Sequence, residues 1–381
     1  MRFSRLLAVL VCLVLVFSLV ACGGGSDPTI DQSSAPQSSD DSSSKEEVPV
    51  DPYANCVINP LTGEKKLDPE FEGCRPIAVS INNIYSAQAV QSGLDKADVV
   101  FESEVEGGIT RLLALFTDPS DVGNIGTIRS LRVPFAEMAR GMNAVLYFHG
   151  MDNTYCRPLL PTLGLDYAQI DASKYGFREK NGLSYEHTLY TNGEKIMKFT
   201  KDRKFDTSGC EVWLNFAETE EKASAGETVA KKVKVKFNGT STTHFFLDEE
   251  TGKYARANKN GDIFKTYHTK QQEQFTNVFV LKTSIYNYPD QKHRAIDLSS
   301  GEGWYISAGG MVEIKWEKGK ASENFKFFAA DGTSTTQVIE FAHTDSYEEK
   351  TFPLTPVKGA QKISFVFLPG SNFDFKWFKF Q

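Results

Sequence analysis

Three glutamates, three arginines and two histidines are the residues of this chain whose types and placing suit acid, base or anion chemistry. Glu102, Glu104 and Glu106 recur at every second position after Val100. On a strand, that spacing puts the three carboxylates on one face. Three carboxylates buried together need cations, and Arg111, Arg129 and Arg132 are at hand in the sequence. Arginine presents a planar fork that engages two oxygens of a carboxylate or phosphate at once. The set reads either as a solvated strand face with structural ion pairs or as a cleft that binds an anionic group. His149 ends an apolar run just before Gly150, a strand-end position where α/β sheets carry site residues. Its imidazole suits a general base near neutral pH. His187, within Glu186-His187-Thr188, has the same capacity.

Other signatures of chemistry are missing. There is no H-E-x-x-H, no G-x-S-x-G and no EF-hand loop. Gly301-Glu-Gly303 lacks the Lys-Ser/Thr of a phosphate loop. Cys56, Cys74, Cys156 and Cys210 are not spaced as a redox or zinc motif. No metal and no cofactor is expected. Four cysteines allow three pairings. A local loop closed by Cys56 and Cys74 across a turn-rich segment is the simplest, which leaves Cys156 for Cys210. His149-Gly150 and Ser208-Gly209-Cys210 resemble pieces of the L,D-transpeptidase signature. Glu211 stands where that family has Arg, however, and a negative neighbour raises a thiol pKa. Disulfide or inert thiol is the better reading.

The elements that must position these residues follow from pattern. Ile77 to Asn83 reads as a buried strand. Ser86 to Asp98 has helix-compatible residues, weakened by Gly93. Asp98–Glu106 and Gly108–Thr117 are strand-like runs around a Gly107-Gly108 hairpin signal. Ile125 to Arg129 and Ala144 to His149 are further short strands. Leu131 to Gly141 is a helix with Leu131, Phe135 and Met138 on one face and Pro134 in its first turn. A second helix, carrying Ile196 and Phe199, follows Asn192-Gly193. After about residue 215 strands take over. Lys231 to Phe237 alternates strictly, with Val233, Val235 and Phe237 on one face and lysines on the other. The fold class is therefore α+β: an N-terminal α/β sandwich domain with a mixed sheet over 53–215, and a β-rich C-terminal domain over 216–330. Strands in 331–381 are expected to complete the second domain.

Of the 381 residues, 40% are hydrophobic and 24% charged, with a net charge of −7. That is globular composition, and an acidic chain without a basic block is not expected to bind nucleic acid. Residues 1–22 read as a secretion signal: Arg2 and Arg5, then an apolar stretch from Leu6 to Val20 that is too short and wrongly flanked to stay in a membrane. Leu19-Val20-Ala21-Cys22 resembles the bacterial lipoprotein box, which implies lipidation at Cys22 and anchoring outside the cytoplasm. Residues 23–52 are rich in Ser and acids and are expected to form a disordered tether of about 30 Å.

Several stretches together resemble the YerB-like family of bacterial lipoproteins, defined around a domain of unknown function. They include Asn59-Pro-Leu-Thr-Gly63, Arg75-Pro-Ile-Ala-Val-Ser-Ile-Asn-Asn83, Glu106-Gly-Gly-Ile-Thr-Arg111, Ile125-Gly-Thr-Ile-Arg-Ser-Leu-Arg132, Tyr147-Phe-His-Gly150 and, further on, Tyr254-Ala-Arg256 and Asn277-Val-Phe-Val280. Around Glu186-His187-Thr188 the chain departs from the family's Pro-His-Asn. The charged positions of the candidate cleft fall inside or beside the matched stretches. The expectation is a membrane-anchored lipoprotein whose Arg/Glu-lined cleft binds an anionic envelope ligand, such as a peptidoglycan carboxylate or a teichoic-acid phosphate, or a protein partner. One alternative is an enzyme acting on cell-wall polymers, with His149 as base, Arg129 and Arg132 holding the anion, and Glu104 or Glu106 orienting the base. Another is carbohydrate binding through the last strands, near Asn372, Asp374 and Trp377.

Overall fold

Ile77–Asn82 is the middle strand of a five-stranded mixed sheet in the computed structural model, which describes residues 51–216, 225–330, 344–353 and 377–379. The strand order is Val99–Glu104, Thr110–Phe116, Ile77–Asn82, Val145–Phe148 and Tyr167–Gln169. The first two pairings are antiparallel and the last two parallel. Every residue of Ile77–Asn82 and Thr110–Phe116 is buried, as expected of a sheet covered on both faces. Ala78, Leu113, Leu115, Leu146 and Phe148 pack against Phe135, Ala136 and Met138 of the helix Val133–Gly141. On the opposite face, Val79, Ile81, Leu112, Phe116 and Tyr147 meet Ile196 and Phe199 of the helix Gly193–Arg203.

Local signals place these helices. Pro134 sits in the first turn of one, where a missing N–H is tolerated. Asn192 caps the other, accepting from Lys195 N at 2.9 Å. Gly193 is required there, since a Cβ would stand 1.7 Å from the Pro119 carbonyl oxygen. Two expectations change. The stretch 86–98 forms two short 3-10 turns, Tyr85–Val90 and Leu94–Lys96, because Gly93 between them takes φ +85° and stops a helix from running through. The strand expected at 125–129 is Asn124–Gly126, and it pairs with Leu189–Asn192 outside the main sheet.

The C-terminal half contains two larger antiparallel sheets and a two-stranded one, Ile285–Asn287 with Arg294–Ile296. One larger sheet contains Lys232–Lys236, Thr242–Leu247, Tyr254–Ala257 and Gln274–Phe275. The other contains Thr228–Val229, Gly310–Glu317, Ser300–Ser307 and Asn277–Lys282, with Lys326–Ala329 also paired to Gly310–Glu317. Val233, Phe245 and Leu247 share a small core with Val278, Ile306 and Met311. Lys232, Lys234 and Lys236 are exposed along an edge strand, where charge discourages pairing with another chain. Trp316 and Phe325 of this half enter the core beneath the helix Val133–Gly141. Trp213 Nε1 donates to the Phe325 carbonyl oxygen at 3.0 Å. The α+β class read from the sequence is the class observed.

Cys56, Cys74, Cys156 and Cys210 are free thiols, so neither expected disulfide is present. Cys156 is fully buried in the core under Val133–Gly141, and burial pushes its thiol up to about 12. Cys74 lies opposite Ser208 in an isolated antiparallel bridge. The chain from 208 to 210 thus runs beside Cys74 and not beside Cys156. Residues 1–50, including Cys22 and the tether, lie outside the described residues, as do 331–343, 354–376 and 380–381. No helix among the described residues is long and apolar enough to cross a membrane.

Candidate functional site

At the carboxyl ends of the parallel part of the N-terminal sheet, strand pairing gives way to connecting segments. Of the strand Ile77–Asn82, Val145–Phe148 pairs only with Ile77–Val79. Beyond that point a connecting segment takes over as neighbour: Asn82 N donates to the Thr127 carbonyl oxygen and Arg129 N to that of Ser80, both at 2.9 Å. His149 N then donates to the Arg129 carbonyl oxygen at 3.2 Å. Arg129, His149, Asn82 and the 3-10 turn Tyr185–His187 are thereby gathered at the strand ends. Ligands of α/β sheets bind at such a place, outside the carboxyl ends where neighbouring chains diverge.

Arg111 lies at the floor of this region. It is opposite Asn82 on one side and Ser103 on the other, and only 3% exposed. Its Nη1 donates to the Ser130 carbonyl oxygen at 2.6 Å. Its Nε is buried with no hydrogen-bond partner, and among the described residues no carboxylate pairs with it. Burial pushes the guanidinium down to about 9, with repulsion from Arg132 and Arg129 adding to the effect and Glu106 opposing it. At neutral pH it stays charged. Arg132 is held by both oxygens of Glu106. Burial alone would raise the Glu106 carboxyl, but hydrogen bonding and attraction from Arg132 and Arg111 bring it below its usual value. Arg132 also precedes the helix Val133–Gly141, whose first turn has no side-chain cap and adds partial positive charge. Arg129 is half-buried and meets Glu186 at 3.3 Å. Three arginines thus face two carboxylates, in a chain whose net charge is −7.

The other two expected glutamates are not part of this set. Glu102 and Glu104 share a strand face, as their spacing requires, but both are engaged by the C-terminal half. Glu102 accepts from Arg256 at 3.2 Å, Thr243 at 3.0 Å and Thr110 at 2.7 Å. Glu104 accepts from Arg294 at 2.7 Å and Asn238 at 2.7 Å. Glu106 lies past the end of the strand, in the turn Glu106–Gly108, so the two-residue period does not reach it. Arg256 is fully buried between Glu102 and Glu273 and also donates to Asn83 at 3.2 Å. Burial opposes its charge, but the two carboxylates more than offset this and raise its pKa. Nothing local in the sequence marks Arg256 or Arg294 as partners of Glu102 and Glu104; each lies more than 150 residues away.

The histidines divide. His149 Nδ1 donates to the Ile170 carbonyl oxygen at 2.7 Å, which leaves Nε2 as the basic nitrogen. The expected orientation by Glu104 or Glu106 is corrected by this contact, because both carboxylates are engaged elsewhere. His187 Nδ1 accepts from Asn82 Nδ2 at 2.8 Å, and its Nε2 lies 3.3 Å from Glu186. Burial lowers its pKa, with Glu186 opposing and Arg129 reinforcing. A histidine whose folded pKa is below the unfolded value contributes stability above about pH 6.5 that is lost as pH falls towards the folded pKa. Urea midpoints at pH 7.5 and pH 5.5 should therefore fall less in His187→Gln than in the parent. Equal slopes would show that His187 carries no part of the acid sensitivity.

Two shallow surface concavities, of about 250 and 310 Å³, lie on the C-terminal sheets, lined in part by Lys318 and by Asp297. Neither contains a residue of the arginine set. Lys318 Nζ donates to the Lys320 and Ala321 carbonyl oxygens, so it staples its own loop. No cluster of metal-ligating side chains occurs among the described residues.

A mixed, helix-covered sheet is joined by a buried Glu–Arg seam to the antiparallel sheets of the C-terminal half. Residues 61–206 match the N-terminal domain, and 233–339 the C-terminal domain, of the protein family of unknown function DUF3048, and the chain belongs to that family. It is 28% identical over 262 residues to YerB of Bacillus subtilis (strain 168), a protein named as a candidate lipoprotein, covering 68% of this chain and 77% of YerB. The crystal structure of YerB from Bacillus subtilis is similar, with a TM-score of 0.60, 26% identity, and coverage of 72% of this chain and 93% of that one.

Proposed function

We propose that this protein is a lipoprotein anchored through Cys22 outside the cytoplasm, and that it binds an anionic envelope ligand at the carboxyl ends of its N-terminal sheet. Arg111 carries the reading: among the described residues it is a buried guanidinium with one hydrogen bond, an unpartnered Nε and no carboxylate of its own. A buried cation left in this state is costly, and an oxyanion held by Arg129 and Arg132, which lie within electrostatic range of it, would offset its charge. The lipoprotein designation of YerB and the Leu19-Val20-Ala21-Cys22 box support the location. Binding is favoured over catalysis because Glu104 and Glu106, the groups a catalytic His149 would draw on, are committed to Arg294 and Arg132.

The test is ligand-induced stabilisation of the purified folded part. Inorganic phosphate and acetate are the probes, and a site filled to 100 times its Kd adds about 2.7 kcal/mol. Arg129→Ala combined with Arg132→Ala should abolish that increment while leaving unliganded stability within about 1–2 kcal/mol of the parent, the usual range for changes outside a core. Identical phosphate and acetate responses in parent and double variant would sink the proposal. Severe unfolding of the unliganded variant would mark these arginines as structural.

A further inference from the structure

We infer that Tyr185 is a sugar-ring platform for this same site, so that the anion it takes is the charged group of a phosphorylated or carboxylated saccharide; this rests on the anion-binding reading above. Tyr185 is 72% exposed, yet its ring is held. The Arg178 guanidinium lies under one face, 3.6 Å from the ring centroid. Arg178 is itself fixed by hydrogen bonds from Nη1 to the Tyr185 carbonyl oxygen at 2.6 Å and to Thr188 Oγ1 at 3.2 Å. A ring backed by a cation in this way keeps one face in place and presents the other to solvent.

The platform adjoins the arginine set by covalent neighbourhood. Tyr185 opens the turn whose next residue, Glu186, meets Arg129, and whose third, His187, is held by Asn82. The Arg129 guanidinium also reaches the Glu186 carbonyl oxygen at 3.5 Å, so Arg129 and the Tyr185 ring flank the same turn. Arg178 adds cationic character without offsetting it: among the described residues it pairs with no carboxylate, and its Nε is buried without a partner.

The surroundings favour a sugar over an apolar peptide side chain. Peptide anchors seat in concave, desolvated apolar pockets. Tyr185 stands instead among exposed or half-exposed polar residues, with Ser184 and Glu186 on either side and Asn181 nearby in sequence. A pyranose has one face of C–H groups to lie on an aromatic ring and a rim of hydroxyls for polar neighbours. An amphipathic aromatic with one apolar face and a wet edge suits it. A lone exposed tyrosine would need no explanation; one clamped by an arginine without a carboxylate partner among the described residues, beside the arginine set, does.

The test is isothermal titration of the purified protein with four probes: inorganic phosphate, glucose 1-phosphate, glucuronate and glucose. The expected result is that glucose 1-phosphate binds at least tenfold more tightly than inorganic phosphate. Tyr185→Ala should erase that margin while inorganic phosphate still binds. Equal affinities for phosphate and glucose 1-phosphate in the parent, or an undiminished margin in Tyr185→Ala, would overturn the platform and leave the anion site standing. Failure of every anion to bind would overturn both. Tyr185-dependent binding of an acidic tripeptide more tightly than either charged sugar would overturn the saccharide class in favour of a peptide.

Discussion

Replacing Arg256 by Met should lower folding stability by about 3–5 kcal/mol, the usual penalty for removing one member of a buried ion pair. Arg256 is 2% exposed and stands between Glu102 and Glu273, with Asn83 as a third acceptor. Its ring neighbour, Phe264, lies 4.5 Å from the guanidinium carbon. Methionine fills similar space but leaves two buried carboxylates without a cation. The penalty should therefore shrink when the carboxylates are neutralised as well, in Arg256→Met with Glu102→Gln and Glu273→Gln. Urea unfolding measures both. A loss under about 1 kcal/mol for the single variant would show that the guanidinium does not carry the seam.

Trp316→Ala should cost a similar amount, about 3–5 kcal/mol, for a different reason. Trp316 is 1% exposed, and its Nε1 donates to the Glu302 carbonyl oxygen at 3.0 Å. Its ring sits 5.7 Å from that of Phe325, in the core shared with the helix Val133–Gly141. The loss is one of apolar burial and of a cavity that rigid neighbours cannot fill. Trp316→Phe should recover more than half of it. If the two sites act independently, the Arg256→Met and Trp316→Ala losses should add within about 0.5 kcal/mol. A Trp316→Ala loss under about 1 kcal/mol, again by urea unfolding, would mean that the C-terminal sheets do not lean on this contact.

The elements were legible where local rules decide them. Asn192 before Gly193 and Pro134 near the start of its helix are end signals that act within one turn, and both operate as such. The strict alternation of Lys231 to Phe237 marks a strand with one wet face, and Lys232–Lys236 is that strand. The site was legible only in part. Arg111, Arg129, Arg132, His149 and His187 do come to one end of the sheet: Arg111 opens its strand opposite Asn82, His149 follows Val145–Phe148, and the connecting segments carry the other three. The period of Glu102, Glu104 and Glu106 identified a face but could not identify its partner. Arg256 and Arg294 reach that face from another part of the chain, and competition between cations is settled by topology, which spacing does not encode. The cysteines show the same limit: Cys156 followed its helix into the core, out of reach of any simple pairing by loop length. Tyr185 had no signal at all beyond being aromatic, because its standing depends on Arg178 folding under it.

The seam between the halves also sets terms for exchanging parts among relatives. A C-terminal half grafted onto another member's N-terminal half would have to bring acceptors and donors in register: Arg256 and Thr243 for Glu102, Arg294 and Asn238 for Glu104. Chimeras that break this matching would strand carboxylates in a dry junction, whereas those that transplant all six positions together should assemble. The polar junction thus works as a password between the two pieces, stricter than a greasy one, which would accept many substitutes of similar volume.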